Sequence, residues 1–254
     1  MQYDDLEKYI EEYVVAPFYK KRSERLKHLK LHDILSRKNP YLFRAKNIQT
    51  AGDLASDILR AHLSSQEETI FGNLLESLAI HINTMVYGGS KAEEGKFKSI
   101  DLIFDKANTR YLVSIKSGVH WGNADQIRRM KQSFREAHEI MRAAGYTGNI
   151  ININGCMYGK DSKPFKQNNV DNRCSYYKYC GQEFWKFISG DESLYITLIK
   201  PLAKEVQQRD DEFKALYTQV TNRLTKDLLN DFTDNDLINW QTILEFVSKQ
   251  DSAT

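Results

Sequence analysis

The sequence predicts a mixed α/β (α+β) protein, a small sheet with one crossover helix enclosed by helices at both ends. Three observations carry this. Apolar residues recur at helical spacing through the first 37 residues and again after Gly181. Between Ser99 and Lys116 the chain reads S-I-D-L-I-F-D-K-A-N-T-R-Y-L-V-S-I-K, two apolar runs around a short polar turn. A polar helix then leads into a third apolar run, Asn149–Asn154, the order of a strand, a crossover and a further strand.

Taken in order, Leu6, Ile10, Tyr13, Val14, Phe18, Leu26, Leu29 and Ile34 give the first helical stretch, interrupted at Pro17 and ended by Asn39-Pro40. A short helix over Ala51–His62 follows. Ser65-Gln66-Glu67-Glu68 reads as a capping box that opens the next helix. Its stripe is Phe71, Leu74, Leu75, Leu78, Ile82 and Met85, and Gly88-Gly89 closes it. Strands over Ser99–Asp105 and Arg110–Ser117 come next, then the crossover helix Ala124–Ala144. Met157–Tyr179 has no periodicity and reads as a long loop. Helices are expected over Phe184–Ile188, Leu194–Val206, Glu212–Leu229 and Leu237–Val247.

With 254 residues, 41% apolar, the chain can bury one large core or a core with a helical appendage. The expected division is a helical segment 1–63, a core 64–190 and a helical segment 191–254, packed as one compact unit. No run is long enough for a membrane span, and the acidic start Met1–Asp5 is unlike a signal peptide. Cys156, Cys174 and Cys180 are too few for a disulfide framework and read as reduced thiols of a cytoplasmic protein. The net charge of +2 is unevenly spread, a local +8 over Lys20–Lys46 against −5 from Asp191 onward. Such asymmetry suggests a part facing a polyanion, or else a solvated helix surface.

The unusual residues of the central hairpin are Asp101, Ser114 and Lys116. Charges inside apolar strands are costly unless paired, hydrated or metal-bound. If Lys106–Thr109 is a four-residue loop, Asp105 faces Arg110, Asp101 falls opposite Ser114, and Lys116 lies two residues on along the same face. A one-residue slip would scatter the three. Together they suit phosphodiester hydrolysis. Asp101 and the main-chain carbonyl of Ile115 can ligate Mg2+, and Lys116 can hold the attacking water and balance phosphate charge. The second acid is expected from Glu76, on the flank of the preceding helix one turn beyond Gly72, which allows a close approach. The plainer reading of Glu76 is a solvated helix glutamate.

Beyond the hairpin, Trp121 can stack or wedge, or anchor a core. Asn123 and Gln126 can donate to bases or phosphates, with Asn123 equally suited to an N-cap, and Arg128, Arg129 and Lys131 add charge. The Lys160–Lys178 segment, with Arg173, Tyr176, Tyr177 and Tyr179, reads as a nucleic-acid surface or an ordinary exposed loop. His28 and His32 lack a third ligand and read as surface histidines rather than half a metal site. No phosphate-binding Gly-rich loop with Lys-Ser/Thr is present, so no nucleotide cofactor is expected.

The helix glutamate, strand Asp and following x-x-Lys resemble the PD-(D/E)XK nuclease superfamily, which implies a restriction-endonuclease-like core. F-G-N-L-L-E (Phe71–Glu76), G-G-S-K (Gly88–Lys91) and I-D-L (Ile100–Leu102) are similar to the mismatch-repair nicking branch. S-I-K-S-G-x-x-W-G-N (Ser114–Asn123) and C-G-Q-E-F-W-K-F-I-S-G-D (Cys180–Asp191) resemble type II restriction endonucleases. The likeness covers about Ser64 to Tyr195. Two positions depart from it: Ile100 stands where the signature has Pro, and Ser114 where it has Asp or Glu. Some restriction enzymes with S-x-K draw the missing carboxylate from a helix, which implies Glu76 here, or Asp125, Glu136 or Glu139. Ser114 then orients a metal-bound water or simply makes room.

The expected function is a Mg2+-dependent, site-specific DNA endonuclease, with Asp101, Lys116, Glu76 and Ser114 catalytic. Its partners are double-stranded DNA and a second copy in a homodimer joined through the helical ends, since duplex symmetry favours a two-fold pair. The alternatives are a structure-specific or mismatch-repair nuclease of the same fold and a non-catalytic DNA-binding protein with a degenerate site.

Overall fold

The computed structural model describes residues 3–166, 170–203 and 206–250. In chain order the helices are α1 (Tyr3–Ile10), α2 (Ala16–Lys27), α3 (Leu31–Leu35), α4 (Pro40–Ala45), α5 (Ala51–Tyr87) and α6 (Ala124–Ala143). They continue with α7 (Gln182–Ser189), α8 (Leu194–Thr197), α9 (Ile199–Leu202), α10 (Val206–Phe232) and α11 (Trp240–Ser248). The strands are β1 (Ser90–Lys91), β2 (Leu102–Lys106), β3 (Thr109–Lys116), β4 (Asn149–Cys156), β5 (Lys163–Lys166) and β6 (Tyr176–Cys180). A small terminal pair, β7 (Thr233–Asp234) and β8 (Leu237–Ile238), completes them.

The expected mixed α/β class is the one observed. The chain divides into two compact units, Met1–Val15 with Gly72–Lys204 and Ala16–Phe71 with Glu205–Thr254, rather than three consecutive segments. The first unit holds a six-stranded sheet in the order β1-β2-β3-β4-β6-β5. β2 runs antiparallel to both β1 and β3, β3, β4 and β6 are parallel, and β5 closes the far edge antiparallel to β6.

Both faces of the sheet are covered, so its central strands read as continuous apolar runs. On one face α6 brings Met130, Phe134, Ala137 and Met141 against Leu112, Ile150 and Tyr176. On the other, Phe187 of α7 meets Phe104, Tyr111 and Tyr179 at 5.4, 5.2 and 5.0 Å between ring centroids. Asn83 of α5 donates to the carbonyl of Ile188 at 3.0 Å and ties that helix to α7.

The hairpin keeps the register Asp105↔Arg110, but Lys106↔Thr109 also pair. The loop is therefore two residues long, not four. Ala107 and Asn108 take left-handed φ values of 48° and 58°, whose twist matches that of the flanking strands. Asp105 and Arg110 clasp the turn through two hydrogen bonds of 2.9 and 2.7 Å.

Four other expectations change. The segments 51–62 and 65–85 are one helix of 37 residues, α5. Ser65 is not a cap: its hydroxyl donates to the Ala61 carbonyl at 3.2 Å, as a serine does when no Gly or Pro forces the chain out of the helix. The expected break at Pro17 is a π-helical turn over Glu11–Val15, which absorbs the changed hydrogen-bond register ahead of the proline. Within Met157–Tyr179, the described residues form β5, a 3-10 turn and most of β6, while 167–169 lie outside them. β6 escapes notice because its inward positions are Tyr176, Lys178 and Cys180, an alternation not made of aliphatic residues. Tyr176 and Lys178 are buried, which corrects the reading of this stretch as an exposed loop. Finally, Leu194–Val206 is two short helices rather than one, with 204–205 outside the described residues, and Leu237 begins β8 rather than a helix.

The second unit is helical, with a core of Leu26, Ile34, Leu54, Ile58, Leu59, Leu224 and their neighbours. The basic segment and much of the acidic C-terminal segment fold into this same unit. Arg22 pairs with Glu67 at 2.5 Å and lies 3.4 Å from the Phe213 ring centroid, and His32 pairs with Asp231 at 3.3 Å. The charge asymmetry of the sequence is thus partly cancelled by folding.

Candidate active site

The site is built where β2 starts late. Ser99 has a left-handed φ of 55°, and the chain joins the ladder only at Leu102. Asp101 still donates its N–H to the Val113 carbonyl at 2.9 Å. Ile115, which faces Gly155 of β4 on its other side, has no partner in β2, and the Asp101 carboxylate replaces one: Oδ2 accepts the Ile115 N–H at 2.6 Å. The N–H and C=O of a strand residue point to the same side. The Ile115 carbonyl accordingly opens toward the same spot, where Lys116 Nζ donates to it at 2.9 Å and lies 3.6 Å from Asp101 Oδ2.

Glu76 reaches this spot from α5. A Cβ at Gly72 would lie 2.8 Å from Ser117 Oγ, so the glycine lets the helix close on the end of β3, and Glu76 sits one turn further along. Burial first, and then the like charge of Asp101, push the Glu76 carboxyl up to about 7, against the opposing ammoniums of Lys116 and Lys91. Burial likewise raises the Asp101 carboxyl, restrained by Lys116 and the Ile115 N–H. These shifts identify a cluster of two acids and two lysines sharing one electrostatic environment.

Lys91 is the member that sequence reasoning missed, although it closes the quoted G-G-S-K run. It sits on β1 opposite Leu102 and pairs with Glu94 at 2.7 Å. Glycines followed by a lysine on the strand beside Asp101 were the signal.

Ser114 follows Val113, to whose carbonyl Asp101 donates, and is fully buried, with a hydroxyl that has no hydrogen-bond partner among the described residues. Among the described residues no group of three or more His, Cys, Asp or Glu could hold a metal. The donors at hand are two carboxylates and a carbonyl, hard oxygens of the kind Mg2+ accepts with water completing its shell. A cation is already drawn to them, since the Lys116 ammonium touches Asp101 and the Ile115 carbonyl. The donor set fits the ion.

The other acids lie elsewhere. Asp125 is not the N-cap of α6 and instead pairs with Arg128 at 2.9 Å. Glu136 accepts from Gln132 at 2.8 Å, and Glu139 pairs with Arg173 at 2.9 Å. Asn123 is the N-cap, and it forms a capping box with Gln126 through bonds of 3.0 and 2.9 Å. Both side chains are exposed, and the box uses their oxygens but not their NH2 groups. Arg128 and Arg129 are exposed on α6. Trp121 is half-buried against the α6 cluster, with Lys116 Nζ 5.5 Å from its ring centroid, so it belongs to both the core and the site.

Residues 4–210 match the family model described as type II restriction endonuclease EcoO109I. No curated protein matches the chain.

Proposed function

The chain belongs to the type II restriction endonuclease EcoO109I family, and from that membership we propose that it hydrolyses phosphodiester bonds of double-stranded DNA at a specific short site with Mg2+. The observation that carries this reading to particular atoms is Asp101 Oδ2, shared between the Ile115 N–H and Lys116, with Glu76 under the same field.

In this reading Asp101, Glu76 and the Ile115 carbonyl hold the ion. When bound, it neutralises charge that builds on the phosphate oxygens as the bond breaks. Lys116 orients the attacking water through its ammonium hydrogens and offsets the phosphate charge. Glu76 would supply the carboxylate that Ser114 cannot, and the buried Ser114 hydroxyl has no hydrogen-bond partner among the described residues. Trp121, Asn123, Gln126, Arg128 and Arg129 meet the duplex on the side where α6 begins. A two-fold DNA site is matched by a homodimer. The three cysteines are free and buried, which supports a reducing, cytoplasmic setting. No helix of the described residues is long and apolar enough to cross a membrane.

Plasmid digestion with Mg2+ tests the reading, comparing wild type with Asp101→Ala. Discrete fragments that disappear in the variant are the expected result. Nicking confined to mismatches or junctions would instead indicate a structure-specific nuclease. DNA binding without cleavage at any divalent-metal concentration would sink both enzyme readings.

A further inference from the structure

A cleft of about 700 Å3 opens at the carboxyl ends of β4 and β6, its wall bonded through the main chain to the end of β3. Crevices outside the carboxyl ends of parallel strands are where such sheets bind ligands. This one is lined by Tyr158, Lys160, Ser162, Gln182, Glu183 and Tyr195, among others.

Its floor is rigid. Met157 N–H donates to the Lys116 carbonyl at 2.9 Å, and Tyr158 N–H donates to the Ser117 carbonyl at 3.1 Å, so the wall continues directly from the catalytic strand. Trp185 Nε1 donates to the Met157 carbonyl at 2.8 Å, and Ser162 Oγ accepts the Cys180 N–H at 2.9 Å. Where the loops cross, glycines allow the close approach. A Cβ at Gly118 would lie 2.5 Å from the Tyr158 ring, and one at Gly181 would lie 2.6 Å from the Gly159 carbonyl oxygen.

Two side chains on this rigid platform remain unspent. Tyr158 rests one side of its ring on Gly118 and is 64% exposed, a large aromatic kept at the surface by a locked backbone. Lys160, two residues on, is exposed and pairs with no acid among the described residues. A ring beside a free ammonium suits a sugar next to a phosphate: the ring packs on deoxyribose, its hydroxyl donates to a phosphate oxygen, and the ammonium supplies charge.

We propose that this cleft is a backbone subsite that takes the phosphate and deoxyribose of a nucleotide flanking the scissile bond. The proposal rests on the DNA-cleaving reading above and goes beyond it by assigning the positioning contacts to Tyr158 and Lys160. Glu183, in the first turn of α7, also lines the cleft and confines the anion to the Lys160 side.

The test is binding of a fluorescent duplex oligonucleotide, read by anisotropy without divalent metal between about 50 and about 200 mM KCl. For Lys160→Ala the slope of log affinity against log salt falls by about 0.9, one phosphate contact. The control Lys200→Ala, whose lysine pairs with Glu7 at 3.3 Å, leaves the slope unchanged. Tyr158→Ala weakens binding at every salt concentration without changing the slope, Tyr158→Phe recovers the ring's share, and Glu183→Gln tightens binding. Equal slopes for wild type and Lys160→Ala, or an equal fall in Lys200→Ala, would overturn the subsite. If wild type cleaves plasmid while these variants bind unchanged, the subsite falls and the nuclease reading stands. If the Lys160 dependence appears but no DNA is cut, the nuclease reading falls and with it the subsite's place beside a scissile bond, while the phosphate contact at Lys160 stands.

Discussion

At the scale of single residues, the cluster sets the carboxyl groups of Asp101 and Glu76 in the field of Lys116 and Lys91. Lys116 touches both Asp101 and the Ile115 carbonyl, so its removal should abolish chemistry while leaving DNA bound through other contacts. For Lys116→Ala we expect loss of plasmid cleavage with duplex affinity retained in a gel-shift assay, and unchanged turnover would refute its role. Glu76 makes a pH-dependent statement. Its folded pKa of about 7 lies above the ordinary carboxylate value, so the folded chain holds the extra proton and stability falls as pH rises through that interval. Metal-free Glu76→Gln should then be more stable than wild type at pH 8, by about 1–2 kcal/mol after allowance for solvent access, and equal to it at pH 4. Thermal melts at the two pH values decide this. Ser114 buries an unpaired hydroxyl, and Ser114→Ala should gain about 1 kcal/mol in urea unfolding. A gain in stability accompanied by lost cleavage would show that the hydroxyl serves the reaction.

At the scale of elements, the hairpin and the sheet–helix contacts set the geometry. Ala107 pays a steric penalty at φ 48° that glycine does not, so Ala107→Gly should stabilise the protein by about 0.5–1 kcal/mol without shifting the register. A lower melting temperature would contradict the turn assignment. On β4, Gly155 lets the Phe184 ring of α7 lie where a Cβ would approach to 2.4 Å, and Phe184 is fully buried. Gly155→Ala should cost about 1–3 kcal/mol through overpacking, measurable by chemical denaturation. Both elements illustrate what sequence can reveal. The hairpin register was legible because Asp105 and Arg110 bracket two apolar runs with an odd acid and lysine in fixed places. The junction of two expected helices into α5 was not legible, because Ser65 and Glu68 form an equally good cap on paper. Whether a serine caps a helix or bonds back to its own turn depends on where the chain packs before it.

At the scale of the whole molecule, two buried histidines, His62 and His138, and the half-buried His81 bias stability in one direction. Burial lowers the pKa of His62, His81 and His138, so each is neutral in the fold. Below their ordinary value of 6.5 the unfolded chain binds more protons, and their contribution to stability, complete above that pH, declines as pH falls. In a Glu76→Gln, Asp101→Asn background, which removes the two opposing carboxylates, the melting temperature should fall steadily from pH 7 to pH 5. A flat profile would mean that the histidines are solvated.

The sequence by itself determined most helices, the central strands β2 to β4 and the facing of Asp105 and Arg110 in the hairpin, because period-two alternation and turn chemistry act over a few neighbouring residues. It also supplied Glu76 as one candidate acid among four. In the tertiary structure Gly72 lets α5 close on the end of β3, while Asp125, Glu136 and Glu139 are engaged by Arg128, Gln132 and Arg173. The tertiary structure alone revealed Lys91 beside the two acids and β6 within an apparent loop. Helical periodicity tells which face of a helix is apolar, but not which strand that helix crosses or at what height. A carboxylate on the flank of a helix therefore becomes part of a site only when packing fixes that height.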